Sequence, residues 1–287
     1  FIWLGILPED VNITQGVTAV LWDMDDERDA RDELGYLRSK ALLLDGVALS
    51  DGKKSYRLHD LFHHLARNLL SAPLKPRGRG ALAGLGIGLA EAHGIFLEKY
   101  RRLTDNYLWH TLPDDGYIHQ HLVWHFERAG MIGDIHGLLG EESKSGANGW
   151  YETCDGLGRT GIFITDVARA WELAEVDWDE GRLAQVVGWQ CRYALITASI
   201  NSWAANLPRK LLVALVKNNV WSPEQGLAYA LQKPDLGDKV ESLVMLVDYL
   251  PENFKQQALS EALAAARQTQ GDKERAQALS ALTDKLT

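Results

Sequence analysis

The sequence predicts a mostly α-helical protein: a winged-helix domain with a small β-hairpin, then an α-helical domain, then α-solenoid-like helical repeats. Three observations predict this fold class. Apolar residues recur at helical spacing through most of the 287-residue chain. Only two short apolar runs, at residues 41–44 and 55–58, have the composition of paired strands. Residues 238–251 resemble residues 274–287 at an offset of 36, which is the length of a two-helix repeat.

The first domain is predicted over residues 1–72. Thr14 is a suitable helix cap, and the acidic stretch 23–29 places carboxylates where a helix dipole favours them. Asp51 and Gly52 supply the backbone freedom of a tight hairpin turn. Helix, helix, hairpin, helix is the order of a winged helix. The predicted elements are helices at 14–22, 23–39 (burying Leu34 and Leu37) and 59–70 (with Leu61, Phe62, Leu65 and Leu69 on its apolar side), and strands at 41–44 and 55–58.

A linker is predicted at residues 72–80, which contain two prolines, two glycines and three basic residues. Beyond it, we expect a helical domain over residues 81–190 and a repeat region over residues 191–287. The predicted elements are helices at 81–102, 117–129 (with Gly130 as its C-cap), 131–139 and 162–173, a turn at 113–116, and an irregular Gly- and Ser-rich loop at 141–161.

Composition excludes several classes of protein. The apolar fraction of 46% and the charged fraction of 24% are typical of a globular protein. A net charge of −9 argues against nucleic acid or an anionic membrane as the main partner. Residues 1–72 alone contain eight basic and twelve acidic side chains, so the winged helix is not expected to read DNA. Two cysteines cannot build a disulfide framework, which favours a cytoplasmic location.

Three histidines, His119, His121 and His125, raise the possibility of a metal centre. His121 and His125 have the i, i+4 spacing that places two rings on one helix face, whereas His119 points elsewhere. Zinc hydrolases of this pattern carry a glutamate next to the first histidine, and here that position is Leu122. A helix with polar rings at a packing seam is therefore the favoured interpretation. A zinc hydrolase at His121 and His125 stays as a remote alternative.

Other chemical motifs are weak. Cys154 lies in the Gly-rich stretch and is expected to be more exposed than Cys191, but neither has a recognisable base or CxxC partner. No GxxxxGK[ST] motif occurs, so the chain has no phosphate-binding P-loop of its own. We predict no catalytic residue and no metal site, and we expect that the chain is not an enzyme by itself.

The stretch from Tyr56 to Leu61, with His59 and Asp60 at its centre, resembles the "MHD" motif of NB-ARC signalling ATPases. These proteins belong to the STAND class of nucleotide switches and include apoptotic protease-activating factor. Residues 4–10 resemble the opening of the same winged-helix subdomain, and residues 117–139 and 158–173 resemble the helical domain that follows it. The C-terminal units resemble the helical repeats of bacterial homologues. In the family, the motif histidine contacts the β-phosphate of ADP and holds the inactive state.

This resemblance implies a regulatory and sensor-linking fragment of a prokaryotic nucleotide-switched protein. His59 is the implied nucleotide contact, and Asp60 the residue that fixes its geometry. ADP or ATP with Mg²⁺ is expected only in the full-length protein, and no cofactor is expected for this fragment alone. The implied partners are an upstream nucleotide-binding domain, a protein ligand on the repeats and, in the active state, further copies of the protein. The chain begins with Phe1, which fits a piece of a longer protein. The main alternative is a helical interaction scaffold without a nucleotide role.

Overall fold

The computed structural model describes residues 1–47, 54–76, 80, 82–176 and 180–286. Over these residues the chain forms 14 α-helices and one small antiparallel sheet of two strands, which confirms the mostly helical class. The chain divides into two compact units, Phe1–Glu141 and Glu142–Thr287. This boundary differs from those expected at residues 72–80 and 190, and the division into three domains stays a prediction.

The first unit opens with the predicted order of helices and strands. Thr14 accepts a hydrogen bond from the Val17 amide at 3.1 Å and thereby caps the first helix, as expected. Asp26 caps the second helix, which buries Leu34 and Leu37 as expected. The predicted turn at Asp51 and Gly52 lies outside the described residues. The elements are a 3₁₀ turn at Ile2–Ile6, α1 (Gln15–Trp22), α2 (Glu27–Ser39), β1 (Leu43–Asp45), β2 (Tyr56–Leu58) and α3 (Asp60–Ser71).

The two strands pair in antiparallel register, with Leu43 opposite Leu58 and Asp45 opposite Tyr56. Tyr56 also pairs on its other side with Ile13. The Ile13 amide donates to the Tyr56 carbonyl at 2.7 Å, and the Tyr56 amide donates to the Ile13 carbonyl at 3.0 Å. The hairpin is therefore anchored to the segment that leads into α1.

The buried face of α3 differs from the one predicted. His63, Ala66 and Leu70 point into the core, whereas Leu61 is 69% exposed. The reason is the 3₁₀ turn before α1, which packs directly on α3. A side-chain carbon on Gly5 would come within 2.4 Å of the Arg67 amide, so only glycine permits this approach. The apolar pattern of α3 alone does not contain this constraint.

Three helices complete the first unit: α4 (Leu89–Arg101), α5 (Ile118–Ala129) and α6 (Ile132–Leu138). Gly130 ends α5 in the left-handed conformation, as predicted. The prediction that α4 begins at residue 81 was wrong, because residues 82–88 form no regular element and the helix begins at Leu89. They run along the end of α3, where the Leu85 amide donates to the Leu69 carbonyl at 2.9 Å and the Gly86 amide to the Ala72 carbonyl at 2.9 Å.

Over its described residues, the second unit contains helices and one isolated antiparallel bridge, between Glu142 and Asn148. The loop predicted at 141–161 was wrong in part, because α7 forms within it. Asn148 caps this helix by accepting a hydrogen bond from the Tyr151 amide at 2.8 Å, and Trp150 is fully buried. The helices are α7 (Gly149–Gly156), α8 (Thr160–Val176), α9 (Leu183–Asn206), α10 (Arg209–Lys217), α11 (Pro223–Leu231), α12 (Leu236–Leu246), α13 (Glu252–Gln268) and α14 (Asp272–Leu286).

The proposed repeat pair corresponds to α12 and α14, which pack against each other and against α13. Leu246 and Leu282, which align in the sequence, are both buried in one core. Leu243 and Leu279 also align, but Leu243 is fully buried while Leu279 is 38% exposed. The two helices therefore agree in burial at the Leu246 and Leu282 position and differ at the Leu243 and Leu279 position. The solenoid stays a prediction.

Candidate functional site

His59 lies at the junction between the hairpin and α3, and its side chain is exposed. Its backbone is extended, with φ −66° and ψ 137°, and its ring caps α3: Nδ1 accepts a hydrogen bond from the Leu61 amide at 3.3 Å. Because Nδ1 is the acceptor, a neutral ring carries its proton on Nε2. Among the described residues no partner engages Nε2. The ring is thus held by its inner nitrogen and presents an N–H donor outward.

Asp60, the first residue of α3, is also exposed. Within the described part of the chain its carboxylate makes no hydrogen bond or ion pair. The position of His59 is therefore set by the helix cap rather than by a contact with Asp60. The role implied for Asp60 stays a prediction. What the structure shows is an acidic residue in the first turn of α3, where a carboxylate interacts favourably with the helix dipole.

The surroundings of His59 are apolar on one side. The Phe62 ring centroid lies 6.2 Å from that of His59 in an edge arrangement, and Phe1 packs edge-on against Phe62 at 6.5 Å. Leu61 is exposed beside them. An outward N–H donor at the start of a 12-residue helix can bind an anion such as a phosphate. The residues present therefore fit a phosphate contact, while a full nucleotide site needs further groups that this sequence does not contain.

The α5 histidines take part in a buried network of hydrogen bonds and ring contacts. His125 is fully buried, with Nδ1 at 2.8 Å from Nδ1 of His93 and Nε2 at 2.7 Å from the Tyr117 hydroxyl. Both of its nitrogens are thus occupied by protein partners. His121 packs on the Tyr117 ring at 4.5 Å, whereas His119 lies on the Asp114 side of the helix, 3.6 Å from its carboxylate. The division of the three rings between two faces is as predicted.

The network continues through Asp115. One oxygen of its carboxylate accepts from the Tyr117 and Ile118 amides, both at 2.8 Å, and the other accepts from the Tyr100 hydroxyl. The Asp115 carbonyl accepts from the Thr14 hydroxyl at 2.8 Å, which connects this loop to α1. His93, Tyr100 and Asp115 were not identified from the sequence, because they come from separate elements and share no spacing pattern.

Burial sets the electrostatics of this network. It lowers the pKa of both His93 and His121 to about 4, and in His93 the positive charges of Arg128 and Arg67 act in the same direction. Burial also lowers the pKa of His125, with the neighbouring histidines as lesser causes. These rings are therefore neutral near pH 7. Over the described residues no group of three or more side chains is arranged to hold a metal ion, and the zinc alternative gains no support.

The expected exposure of the two cysteines was wrong. Cys154 is fully buried in α7, whereas Cys191 is exposed on α9. Burial raises the pKa of the Cys154 thiol, with the nearby Asp166 as the second cause. Cys154 is thus an unreactive core residue. The error follows from the unpredicted helix α7, which turns this residue inward.

No protein-family model matches the chain, and no curated protein matches it either. In the described part of the chain, no helix combines the length and apolar character needed to cross a membrane. The functional assignment therefore depends on the residues themselves and on the resemblance at His59.

Proposed function

We propose that this chain is the regulatory and sensor-linking part of a nucleotide-switched signalling protein of the NB-ARC type. In this proposal residues 1–72 are a winged helix, and His59 donates a hydrogen bond from Nε2 to the β-phosphate of ADP held by a neighbouring nucleotide-binding domain. The observation that carries it is the geometry of His59, whose ring is fixed by the α3 cap and presents its outer nitrogen away from the core.

Two features of the first unit support the winged helix. The pairing of Ile13 with Tyr56 adds a third backbone segment to the hairpin, so that three segments lie side by side. The close packing of Gly5 on α3 fixes the position of the helix that begins next to His59. Together they hold the junction rigidly, as a phosphate-sensing histidine requires.

The proposed mechanism is a population shift. ADP connects the winged helix to the nucleotide-binding domain and stabilises the closed state, and a ligand on the C-terminal helices favours the open state by differential contacts. The helices of the second unit, with α12, α13 and α14 sharing one core, are the proposed repeat region.

The test uses the protein that joins this chain to its nucleotide-binding domain. His59→Asn keeps a side-chain acceptor for the Leu61 amide but removes the ring donor, so ADP release should become about tenfold faster. The control is His64→Asn, which changes another exposed histidine of α3. Equal ADP release in His59→Asn and the unmodified protein would overturn the proposal, as would the finding that the gene encodes no P-loop domain. The latter result would instead favour the interaction scaffold.

A further inference from the structure

The second unit contains a pocket of about 380 Å³, bordered by α7, α8, α9 and α11. A volume of this size falls within the range of small-molecule sites. Its walls are mainly apolar and include four aromatic rings, those of Tyr151, Phe163, Trp203 and Tyr229. Tyr151 and Phe163 contact each other edge-to-face at 5.3 Å, and Tyr229 is stacked on Trp221 at 4.9 Å, so three of the four rings are held in place by neighbours.

One wall of the pocket is an unusually exposed face of α9. Leu195, Ser199 and Trp203 follow one another at four-residue spacing and all line the pocket. Leu195 is 70% exposed and Trp203 is 66% exposed. Leaving two large apolar side chains in water is unfavourable in proportion to the apolar area that stays uncovered. An apolar ligand in the pocket would recover that free energy.

The polar groups of the lining residues include the hydroxyls of Tyr151 and Tyr229, besides the side chains of Asn148 and Ser199. The hydroxyl oxygens of Tyr151 and Tyr229 lie 3.3 Å apart, and either can donate to the other. When one hydroxyl donates within the pair, the second keeps its proton for an outside acceptor. Burial raises the pKa of Tyr229, with the hydrogen bond to Tyr151 as a further cause, so the Tyr229 hydroxyl keeps its proton at neutral pH. The pair therefore offers one O–H donor.

The charge of the lining restricts the ligand further. Among the described residues that line the pocket, none is a Lys, Arg, Asp or Glu. A charged ligand would lose its hydration there without gaining a counter-ion, which is costly. A neutral ligand has no such penalty.

We propose that this pocket binds a neutral, flat, apolar small molecule that carries one hydrogen-bond acceptor. Its ring system lies among Phe163, Trp203 and the two tyrosine rings, and its acceptor oxygen takes the spare O–H of the tyrosine pair. The inference is independent of the nucleotide switch, since it uses residues of the second unit alone.

The test titrates the whole chain with 6-propionyl-2-dimethylaminonaphthalene, a neutral fluorophore with a ketone oxygen. We expect saturable binding of one molecule with a blue-shifted emission. The filling variant is Ser199→Trp, which places a large side chain at the pocket wall and should weaken binding about tenfold or more. Its matched control is Ser202→Trp, since Ser202 is another exposed serine of α9 that does not line the pocket. Equal affinity of the two variants for the fluorophore would overturn the proposal that it binds in this pocket.

The hydrogen bond is tested separately with the double variant Tyr151→Phe and Tyr229→Phe. It should weaken binding of the ketone about tenfold and leave the affinity of the 6-propyl analogue, which lacks the oxygen, unchanged. An equal loss of affinity for the ketone and for the 6-propyl analogue would overturn the role of the hydroxyl pair. Equally tight, Ser199-dependent binding of the anionic dye 1-anilinonaphthalene-8-sulfonate would overturn the neutral ligand class.

Discussion

The Nδ1 atoms of His93 and His125 lie 2.8 Å apart in the interior of the first unit. A hydrogen bond between two imidazole nitrogens holds one proton, so the pair cannot carry two charges without losing it. The two rings come from α4 and α5, so the hydrogen bond joins these two helices within the first unit. The stability of the first unit should depend on pH for this reason.

We expect the first unit to lose stability as the pH falls from about 6.5 to about 4. His93 and His121 have a pKa of about 4 in the folded state against 6.5 when unfolded, so protons bind the unfolded chain first over this range. Burial raises the pKa of Asp115, which acts in the opposite direction at the acid end. NMR titration of the imidazole carbons measures each ring separately. Midpoints above pH 6 for both histidines would contradict the prediction.

A second pH effect of opposite sign is expected in α8. Burial raises the pKa of Asp166 to about 7, while its oxygen accepts from the Trp150 indole at 2.8 Å. The folded state therefore keeps a proton that the unfolded state loses above pH 3.8, and stability falls as the pH rises from about 3.8 to about 7, with no further loss above that. Asp166→Asn should remove this loss and stabilise the unit at pH 8 by roughly 2–4 kcal/mol, with little change at pH 4.

The measurement for Asp166 is amide hydrogen exchange of α7 and α8 at the two pH values, read as the difference between variant and unmodified chain. The matched control is Glu172→Gln on the same helix, because the Glu172 side chain is 67% exposed. Slower exchange at pH 8 in both variants, or in neither, would show that Asp166 does not titrate as expected.

The glycines around α4 give a prediction about packing. A side-chain carbon on Gly84 would lie 2.3 Å from the Leu69 and Ala72 carbonyls, so Gly84→Ala must separate the 82–88 segment from α3. We expect a loss of about 2–3 kcal/mol in the free energy of unfolding. Gly94→Ala is the matched control, because Gly94 lies within α4 with open space around it. It should instead gain about 0.5–1 kcal/mol. Urea denaturation measures both, and a similar change in the two variants would contradict the packing argument.

Lys233 is a buried cation whose removal should be costly. Its ammonium donates to the Ala204 and Leu207 carbonyls at 3.1 and 2.8 Å and to the Asp238 carboxylate at 2.5 Å. Lys233→Met leaves these acceptors without their donor, and we expect a loss of roughly 3–5 kcal/mol. Lys255→Met is the control, because Lys255 pairs with the largely exposed Glu252 and should cost less than about 1 kcal/mol. Thermal unfolding measures both, and equal shifts would contradict the assigned role of Lys233.

Much of the candidate site could be predicted because its determinants are local. His59 lies between the end of β2 at Leu58 and the start of α3 at Asp60, and both elements follow from the apolar pattern on either side of it. The buried face of α3 could not be predicted, because it depends on a distant part of the chain. His63 is buried on this face, where its Nε2 lies 2.8 Å from the Leu7 carbonyl oxygen. The aromatic pocket was also missed, since its walls come from α7, α8, α9 and α11 and no sequence spacing connects them.

The sequence by itself determined particular helix ends, such as the start of α1 at the Thr14 cap and the end of α5 at Gly130, because these depend on residues three or four positions away. Only the tertiary structure decided which side chains are buried and which meet. Cys154 is inside and Cys191 outside, and His93 pairs with a residue 32 positions away. Burial is set by surfaces that pack across long separations in sequence, and neither the helical period nor composition specifies them.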